Sequence, residues 1–190
     1  MLKRCGWSGN DPLMIEYHDK EWGVPQHDDR ELFEFLILEG MQAGLSWSTI
    51  LKKRENFRHA LDNFDYKKIS KYNENKIEEL LQNKGIIRNR IKIQSIITNA
   101  QAFLGIQKEF GSFDDYLWNF VNNRSINNLW KNLDELPSHT ELSDIISKDL
   151  KKKGFKFVGS TIIYAFMQAI GLVNDHLVNC FRYKEIKNSY

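Results

Sequence analysis

Glu39-Gly40-Met41-Gln42-Ala43-Gly44-Leu45-Ser46-Trp47 is the stretch that decides how the rest of the chain is arranged. Apolar-rich helical patterns precede and follow it. A break between two helices needs a glycine or a capping residue, and Gly44 and Ser46 supply both. It does not need the carboxylate of Glu39 at one end or the indole of Trp47 at the other. Taken alone, the stretch fits a helix connection in a packed core, so its meaning depends on its surroundings.

Composition limits the kinds of protein that this chain can be. Its 190 residues, 42% of them apolar, fit a single domain over residues 1–190 with a sizeable core. No run of ~18 apolar residues predicts a membrane span, and residues 1–10 lack the apolar core of a secretion signal, so we expect a cytoplasmic protein. The net charge of +2 is small, so any contact with nucleic acid must come from a local basic patch.

Helical patterns dominate, whereas the alternation typical of strands is scarce, and the sequence therefore predicts an all-α fold. Asp28 opens the first strong helix with a capping box to Glu31. Ser46, Asp65 and Asn73 are further predicted N-caps. The polar segment 122–139 is the predicted long surface loop.

A glycine hairpin is expected between two helices within residues 76–109. Gly85 is predicted to end the first helix in the left-handed conformation, and the second begins near Arg88. Backbone N–H groups at such a turn can hold a phosphate, and Arg88, Arg90 and Lys92 add positive charge. A second basic run, residues 52–54, is expected on the outer side of the helix after Ser46. Such runs are usually solvated faces, but beside a hairpin they indicate DNA backbone binding without sequence readout.

Both cysteines of the chain have a histidine nearby: Cys5 with His18, and Cys180 with His176. The second pair is four residues apart, a spacing that on a helix directs both side chains the same way. Two sulfurs and two imidazole nitrogens form a closed tetrahedral set that suits structural zinc and would tie the chain ends together. Two unrelated buried cysteines and two ordinary histidines are the alternative.

Aromatic residues gather near the first histidine, where Trp7, Tyr17 and Trp22 join Trp47 further along the chain. Their density suits a flat conjugated ligand, although a packed aromatic core explains any one of them equally well. Glu39 changes the balance because a carboxylate near a helix C-terminus is disfavoured by the helix dipole. It needs a cationic partner or exposure to solvent.

These features together resemble the type I DNA-3-methyladenine glycosylases, a family of the helix-hairpin-helix glycosylase superfamily. The matching stretches run in order through nearly the whole chain: Arg4-Cys5-Gly6-Trp7, Asp11-Pro12-Leu13, Tyr17-His18-Asp19, Glu21-Trp22-Gly23-Val24-Pro25, Gln42-Ala43-Gly44-Leu45-Ser46-Trp47, Leu51-Lys52-Lys53-Arg54-Glu55, Gly85-Ile86-Ile87-Arg88, Lys152-Lys153-Gly154-Phe155-Lys156-Phe157-Val158-Gly159 and Gly171-Leu172-Val173-Asn174-Asp175-His176. Met14 departs from the pattern, since some relatives have an aromatic residue there, and it is left outside the predicted pocket. The hairpin also lacks the Leu-Pro-Gly-Val-Gly pattern of better-known superfamily members.

The resemblance implies roles for individual residues. Glu39 corresponds to the catalytic-site carboxylate that recognises the base, Trp47 and Tyr17 to its stacking walls, and Trp7 and Trp22 to the outer wall. The implied DNA-binding residues are Leu45, which fills the stack once the base is extruded, with Gly44, Gly85, Arg88 and Lys53. The implied ligands of one structural zinc are Cys5, His18, His176 and Cys180.

The implied activity is base excision. A monomeric enzyme would flip N3-methyladenine out of double-stranded DNA, hydrolyse its glycosidic bond and release the free base, with no lysine nucleophile and no lyase step. A non-catalytic DNA-binding module that keeps the hairpin and the zinc site is the main alternative, against which the intact pair Glu39 and Trp47 argues. A metallohydrolase is a third, against which four ligands with no open position argue.

Overall fold

A computed structural model describes residues 2–189. The elements in chain order are α1 (Pro12–Lys20), α2 (Asp29–Gln42), α3 (Trp47–Ala60), α4 (Tyr66–Ile69), α5 (Glu74–Gln82), α6 (Arg90–Phe110), α7 (Phe113–Trp118), β1 (Ile126–Asn127), α8 (Glu141–Lys152), α9 (Ser160–Ala169), β2 (Val173–Asn174) and α10 (Phe181–Ser189). The fold is thus mostly helical, as predicted. Its one small sheet within the described residues pairs β1 with β2 in parallel, at the edge of the long loop after α7.

Helix α2 lies at the centre of the fold. Its residues 32–41 are all buried, so the helix has no solvated face over that span. It packs against α3, α6, α7 and α9, and a helix covered on every side must be apolar all round. Two charged residues, Glu34 and Glu39, nevertheless lie within this buried span. Glu34 pairs with two arginines, whereas Glu39 has no counter-ion, and Glu39 lies in the candidate site.

Capping side chains set the helix starts as the sequence predicts. Asp28 accepts hydrogen bonds from the backbone N–H groups of Arg30 and Glu31, and Ser46 accepts one from Thr49. Asp65 and Asn73 cap α4 and α5 in the same way. These four N-caps are confirmed because an N-cap bond joins residues that are neighbours in sequence. The capping box is not, since the backbone N–H of Asp28 donates to Gln26 Oε1 at 3.1 Å rather than to the side chain of Glu31.

Two local predictions are wrong. Gly85 does not adopt the left-handed conformation; the residue that follows α5 is Asn83, in extended conformation. Space around Gly85 is limited instead, since a Cβ there would lie 3.0 Å from Asn83 Oδ1 and 3.1 Å from Asn56 Cγ. Arg54 is not on the outer side of α3 but only 7% exposed, paired with Glu34 and Glu21. A buried guanidinium needs such partners, and they come from distant parts of the chain.

Candidate base-binding and metal sites

A cavity of about 200 Å³ opens where α1, α2, α3 and α9 meet. Its lining residues are Trp7, Met14, Tyr17, Trp22, Glu39, Gln42, Trp47, Leu136, Ala165 and Gln168. All five residues predicted for the base pocket are therefore in one place, although they come from two separate stretches of the sequence, 7–22 and 39–47. Met14 also lines the cavity, so leaving it outside the predicted pocket was wrong.

The aromatic side chains of the cavity contact one another at steep angles and together form its walls. The rings of Tyr17 and Trp47 have centroids 5.2 Å apart with an interplanar angle of 45°. Trp7 and Trp22 meet edge to face, 4.9 Å apart. Trp47 is the first residue of α3, so the Ser46 cap that starts the helix also fixes the position of the indole. These walls suit a flat ring system of the size of a purine.

Glu39 lies in the last turn of α2 and is 4% exposed, so the solvent-exposed alternative is wrong. Burial raises the pKa of its carboxyl group to about 8. The same burial, with the charge of Glu39 nearby, holds the pKa of the Tyr17 hydroxyl well above its ordinary value. Glu34, one helical turn earlier, is just as deeply buried but pairs with Arg54 and Arg58. Glu39 is the acidic residue of α2 that the fold buries and leaves without a counter-ion.

Unpaired polar atoms concentrate at this cavity. Over residues 2–189, five buried side-chain polar atoms lack a hydrogen-bond partner, and three of them belong to cavity residues: Glu39 Oε2, Trp7 Nε1 and Trp47 Nε1. Buried polar groups are normally satisfied, so a cluster of exceptions indicates a site that is completed by a ligand. The cavity therefore offers one acceptor and two donors to a flat molecule, together with a preference for positive charge.

The cavity continues into a groove of about 220 Å³ that shares Glu39, Gln42 and Ala165 with it and reaches the Gly44 turn, residues Ala43–Leu45. Gly44 has a φ of +77°, which makes it the left-handed residue that ends α2. The following Leu45 is 42% exposed, so an apolar side chain stands at the mouth of the groove.

The predicted phosphate-binding residues have different surroundings. Arg88 is exposed at the hairpin, whereas Arg90 pairs with Glu74 and Glu78. Lys53 Nζ donates to the carbonyl oxygens of Lys84 and Gly85, at 3.3 and 3.2 Å, and thereby ties α3 to the hairpin. Lys92 is buried and adds no surface charge, contrary to the prediction. Of the cations predicted here, Arg88 is exposed and Lys53 partly exposed, whereas Lys52 pairs with Asp11.

Cys5, His18, His176 and Cys180 form a buried cluster whose ligand atoms all lie within 4.8 Å of one another. Cys180 Sγ lies 3.5 Å from His18 Nε2 and 3.6 Å from His176 Nδ1. A hydrogen bond with Cys5, followed by those with the two imidazoles, lowers the pKa of the Cys180 thiol. The cluster can therefore hold a metal ion between the two ends of the chain.

The outer nitrogens of both imidazoles are engaged, as is usual for metal-bound histidines. His18 Nδ1 lies 2.7 Å from Asp19 Oδ1, and Arg4 holds that carboxylate through Nε and Nη2. His176 Nε2 lies 2.9 Å from the carbonyl oxygen of Trp22. Each ring thus turns its remaining nitrogen toward the two sulfurs. Because Trp22 also lines the cavity, the Cys/His cluster supports one wall of the candidate base site.

The reasoning that paired His176 with Cys180 on a helix is wrong. The chain leaves β2 at Asn174, and α10 begins only at Phe181. Between them a turn is closed by the hydrogen bond from Cys180 N to the carbonyl oxygen of Leu177, at 2.7 Å. The two side chains still converge because this turn, like one turn of helix, brings residues four apart close together.

Sequence reasoning missed a polar group at the back of the cavity. Gln168 Nε2 donates to Asp175 Oδ2 at 2.7 Å, which fixes the amide. Asp175 also accepts from Tyr164, Trp130 and Asn128 and is fully buried. No local pattern marks Gln168; the one usable signal is that it follows Ala165 by three residues on α9, on the same helix face.

Comparisons with known proteins agree on one family. A family model described as methyladenine glycosylase matches residues 7–183. DNA-3-methyladenine glycosylase 1 of Escherichia coli (strain K12) is 53% identical over 182 residues, which cover 96% of this chain and 97% of that protein. A solved structure of 3-methyladenine DNA glycosylase I superposes with a TM-score of 0.92 at 54% identity, over 94% of this chain and 98% of that one. The Staphylococcus aureus enzyme, whose structure concerns 3-methyladenine recognition, gives a TM-score of 0.92 at 35% identity, over 95% and 96%.

Proposed function

The chain belongs to the methyladenine glycosylase family, and on that premise we propose that it removes 3-methyladenine from alkylated double-stranded DNA as the free base. The observation that carries the proposal is the buried and unpaired carboxylate of Glu39 in a cavity walled by Tyr17 and Trp47. An N3-methylated adenine in DNA is flat, carries a positive charge and has an exocyclic amine. It therefore supplies the charge, the shape and the donor that this cavity lacks.

The chemistry asked of the protein is modest because the substrate is already activated. As the glycosidic bond breaks, its electron pair moves onto the cationic base, which leaves as a neutral molecule. Water adds its oxygen to C1′ and gives up a proton, so the products are free 3-methyladenine and an abasic site. Glu39 accepts from the exocyclic amine, and the rings of Trp47 and Tyr17 hold the base in position. No covalent step through a lysine is needed, so the proposed enzyme is monofunctional.

Access to the base requires extrusion from the duplex, which costs a few kcal/mol. Leu45, exposed at the mouth of the groove, fills the space that the base leaves. The α5–α6 hairpin, with Arg88 exposed and Lys53 tied to its carbonyl oxygens, holds the phosphate backbone without reading sequence. In this reading the protein acts as a single helix-hairpin-helix domain and as a monomer.

The metal that the Cys5, His18, His176 and Cys180 cluster would hold is zinc, because two thiolates and two imidazoles form the tetrahedral set that zinc prefers. Its contribution would be structural: all four positions are protein ligands, and the cluster braces the Trp22 wall from behind. The residues of the cavity act on the base without it.

Single-turnover release of 3-methyladenine from methylated duplex DNA tests the proposal. Wild-type protein should release the base, Trp47→Phe should retain much of the rate because it keeps a flat ring, and Trp47→Ala should lose one to two orders of magnitude, since stacking contributes about 1–3 kcal/mol. Binding of damaged duplex without release by the wild-type protein would instead identify a non-catalytic DNA-binding module.

A further inference from the structure

We infer that Lys92 is a positioning residue for excision from duplex DNA, because its buried ammonium group fixes the Gly44 turn that carries Leu45. The inference rests on the proposed function and adds to it. Lys92 lies in the first turn of α6 and is 7% exposed. Lys92 does not line the base cavity, so any effect of Lys92 on catalysis must act through the Gly44 turn.

Two direct bonds connect the ammonium group to the end of α2. Lys92 Nζ donates to the carbonyl oxygens of Met41 at 2.8 Å and of Ala43 at 2.7 Å. Carbonyl groups at a helix C-terminus have no N–H partner from a following turn, and they carry the negative end of the helix dipole. A lysine ammonium satisfies both requirements at once, which accounts for the burial of this cation without a carboxylate partner.

Little else holds the turn. Gly44 is exposed, and a Cβ built on it would meet nothing within 4 Å. Two backbone hydrogen bonds join the turn to the end of α2, from Ala43 N to the carbonyl oxygen of Gly40 at 3.4 Å and from Leu45 N to that of Gln42 at 2.6 Å. Within residues 2–189, the bonds from Lys92 are the only side-chain hydrogen bonds to the backbone of residues 41–45. Without them, the direction of the Leu45 side chain would depend on a glycine turn open to solvent.

Lys92 also connects this turn to the hairpin. Asn89 caps α6 by accepting from Lys92 N at 3.1 Å, and Ser95 Oγ donates to the carbonyl oxygen of Lys92 at 2.6 Å. The same residue is therefore fixed in the helix that follows the proposed phosphate-binding hairpin and bonded to the turn that carries Leu45. This arrangement sets the distance between the phosphate contact and the leucine.

The consequence differs between duplex and single-stranded DNA. In a duplex, the extruded base leaves a gap in the stack that Leu45 must fill, whereas a base in a single strand is largely free already. Loss of Lys92 should therefore impair excision from duplex and spare excision from the same strand without its complement. Loss of a group that touches the base, such as Glu39, should impair both.

The experiment measures single-turnover release of 3-methyladenine by Lys92→Met from both substrates. We expect a loss of roughly tenfold to a hundredfold on duplex, the scale of a small misplacement of a group in the reacting complex, and little change on the single strand. Lys92→Gln, which keeps an N–H donor, should lie between wild type and Lys92→Met and replaces the latter if that variant does not fold. Lys153→Met, which removes another partly buried lysine, paired with Glu109 at the opposite end of α6, should match wild type on both substrates.

A double-variant cycle with Leu45→Ala completes the test, since residues that act as a unit are not additive. Leu45→Ala should show the same duplex-specific loss, and the double variant should be no slower than the slower single variant. Equal losses by Lys92→Met on duplex and single strand, or additive losses with Leu45→Ala, would overturn the inference while leaving the glycosylase activity established. A wild-type protein that released no base from either substrate would instead reject the proposed function, and the inference with it.

Discussion

The unpaired carboxylate of Glu39 should make the folded protein less stable as the pH rises, and Glu39→Gln should remove that loss. Burial raises the carboxyl pKa to about 8 from an ordinary 4.5. Between those values the folded state binds more protons than the unfolded state, so the free energy of unfolding falls as pH increases through this window and levels off above it. At roughly 1.4 kcal/mol for each pH unit, the full loss is about 5 kcal/mol.

Glutamine has nearly the shape of a protonated glutamate but does not titrate. The variant and the wild type should therefore have similar stability near pH 4, and the variant should gain steadily up to about pH 8. Urea unfolding of both proteins at pH 5, 6, 7 and 8 gives the difference directly, since pH effects elsewhere in the fold, including those at the Cys/His cluster, are common to both. At the same time, excision should fall by about one to two orders of magnitude because a charge-assisted hydrogen bond is lost.

A difference in stability that stayed constant from pH 5 to pH 8 would refute this reasoning. It would mean that the Glu39 carboxyl group titrates as it does in the unfolded chain and is therefore hydrated or paired in solution. A variant with wild-type excision would separately refute the role of Glu39 in recognising the base. The two readouts are independent, since one concerns the empty cavity and the other the bound base.

Three further outcomes follow from the site. The value of kcat/KM should rise with pH toward about 8, as Glu39 of the free enzyme ionises, and Glu39→Gln should lack this limb in a pH–rate profile. Metal analysis should find one zinc per chain, and Cys180→Ser should lose zinc and thermal stability together. Asp19→Asn, which removes the negative charge that faces His18 Nδ1, should weaken zinc binding roughly tenfold to a hundredfold in a chelator competition. Arg88→Ala should weaken binding to duplexes of any sequence about equally and reduce the slope of log affinity against log salt by about 1; a loss that depended on sequence would contradict the backbone-binding role.

The sequence predicts best where the deciding contact is local. The caps at Asp28, Ser46 and Asn73 are correct because each bonds to a backbone N–H group two or three residues later. Gly85 shows the limit of that reasoning: its backbone is not left-handed, and what restricts a side chain there is the close approach of Asn56 and Asn83. A requirement of that kind depends on packing between helices and cannot be read from the hairpin alone.

The burial of charged residues also depends on contacts between distant parts of the chain, and local sequence does not predict it. Within one basic run, Lys53 reaches a hairpin carbonyl oxygen and Arg54 enters the core, and nothing in the local sequence separates them. Arg54 is buried because Glu34 lies opposite it on α2, and Lys92 is buried because the end of α2 needs a cation. The cavity residues were predictable through the family resemblance, whereas Gln168, which has no such mark, was missed.

Burial of Glu39 explains how a site can be selective with few polar contacts. Helix α2 is covered on all sides, so a carboxylate placed on it must either be paired, as Glu34 is by Arg54, or be destabilised by desolvation. Glu39 has no such partner, so its carboxylate is destabilised by desolvation. A neutral adenine entering the cavity offers its amine but does not relieve the desolvated charge, whereas a methylated cationic base does both. In the proposed reaction, the same burial that lowers the stability of the empty protein above pH 5 therefore favours binding of a damaged base over an undamaged one.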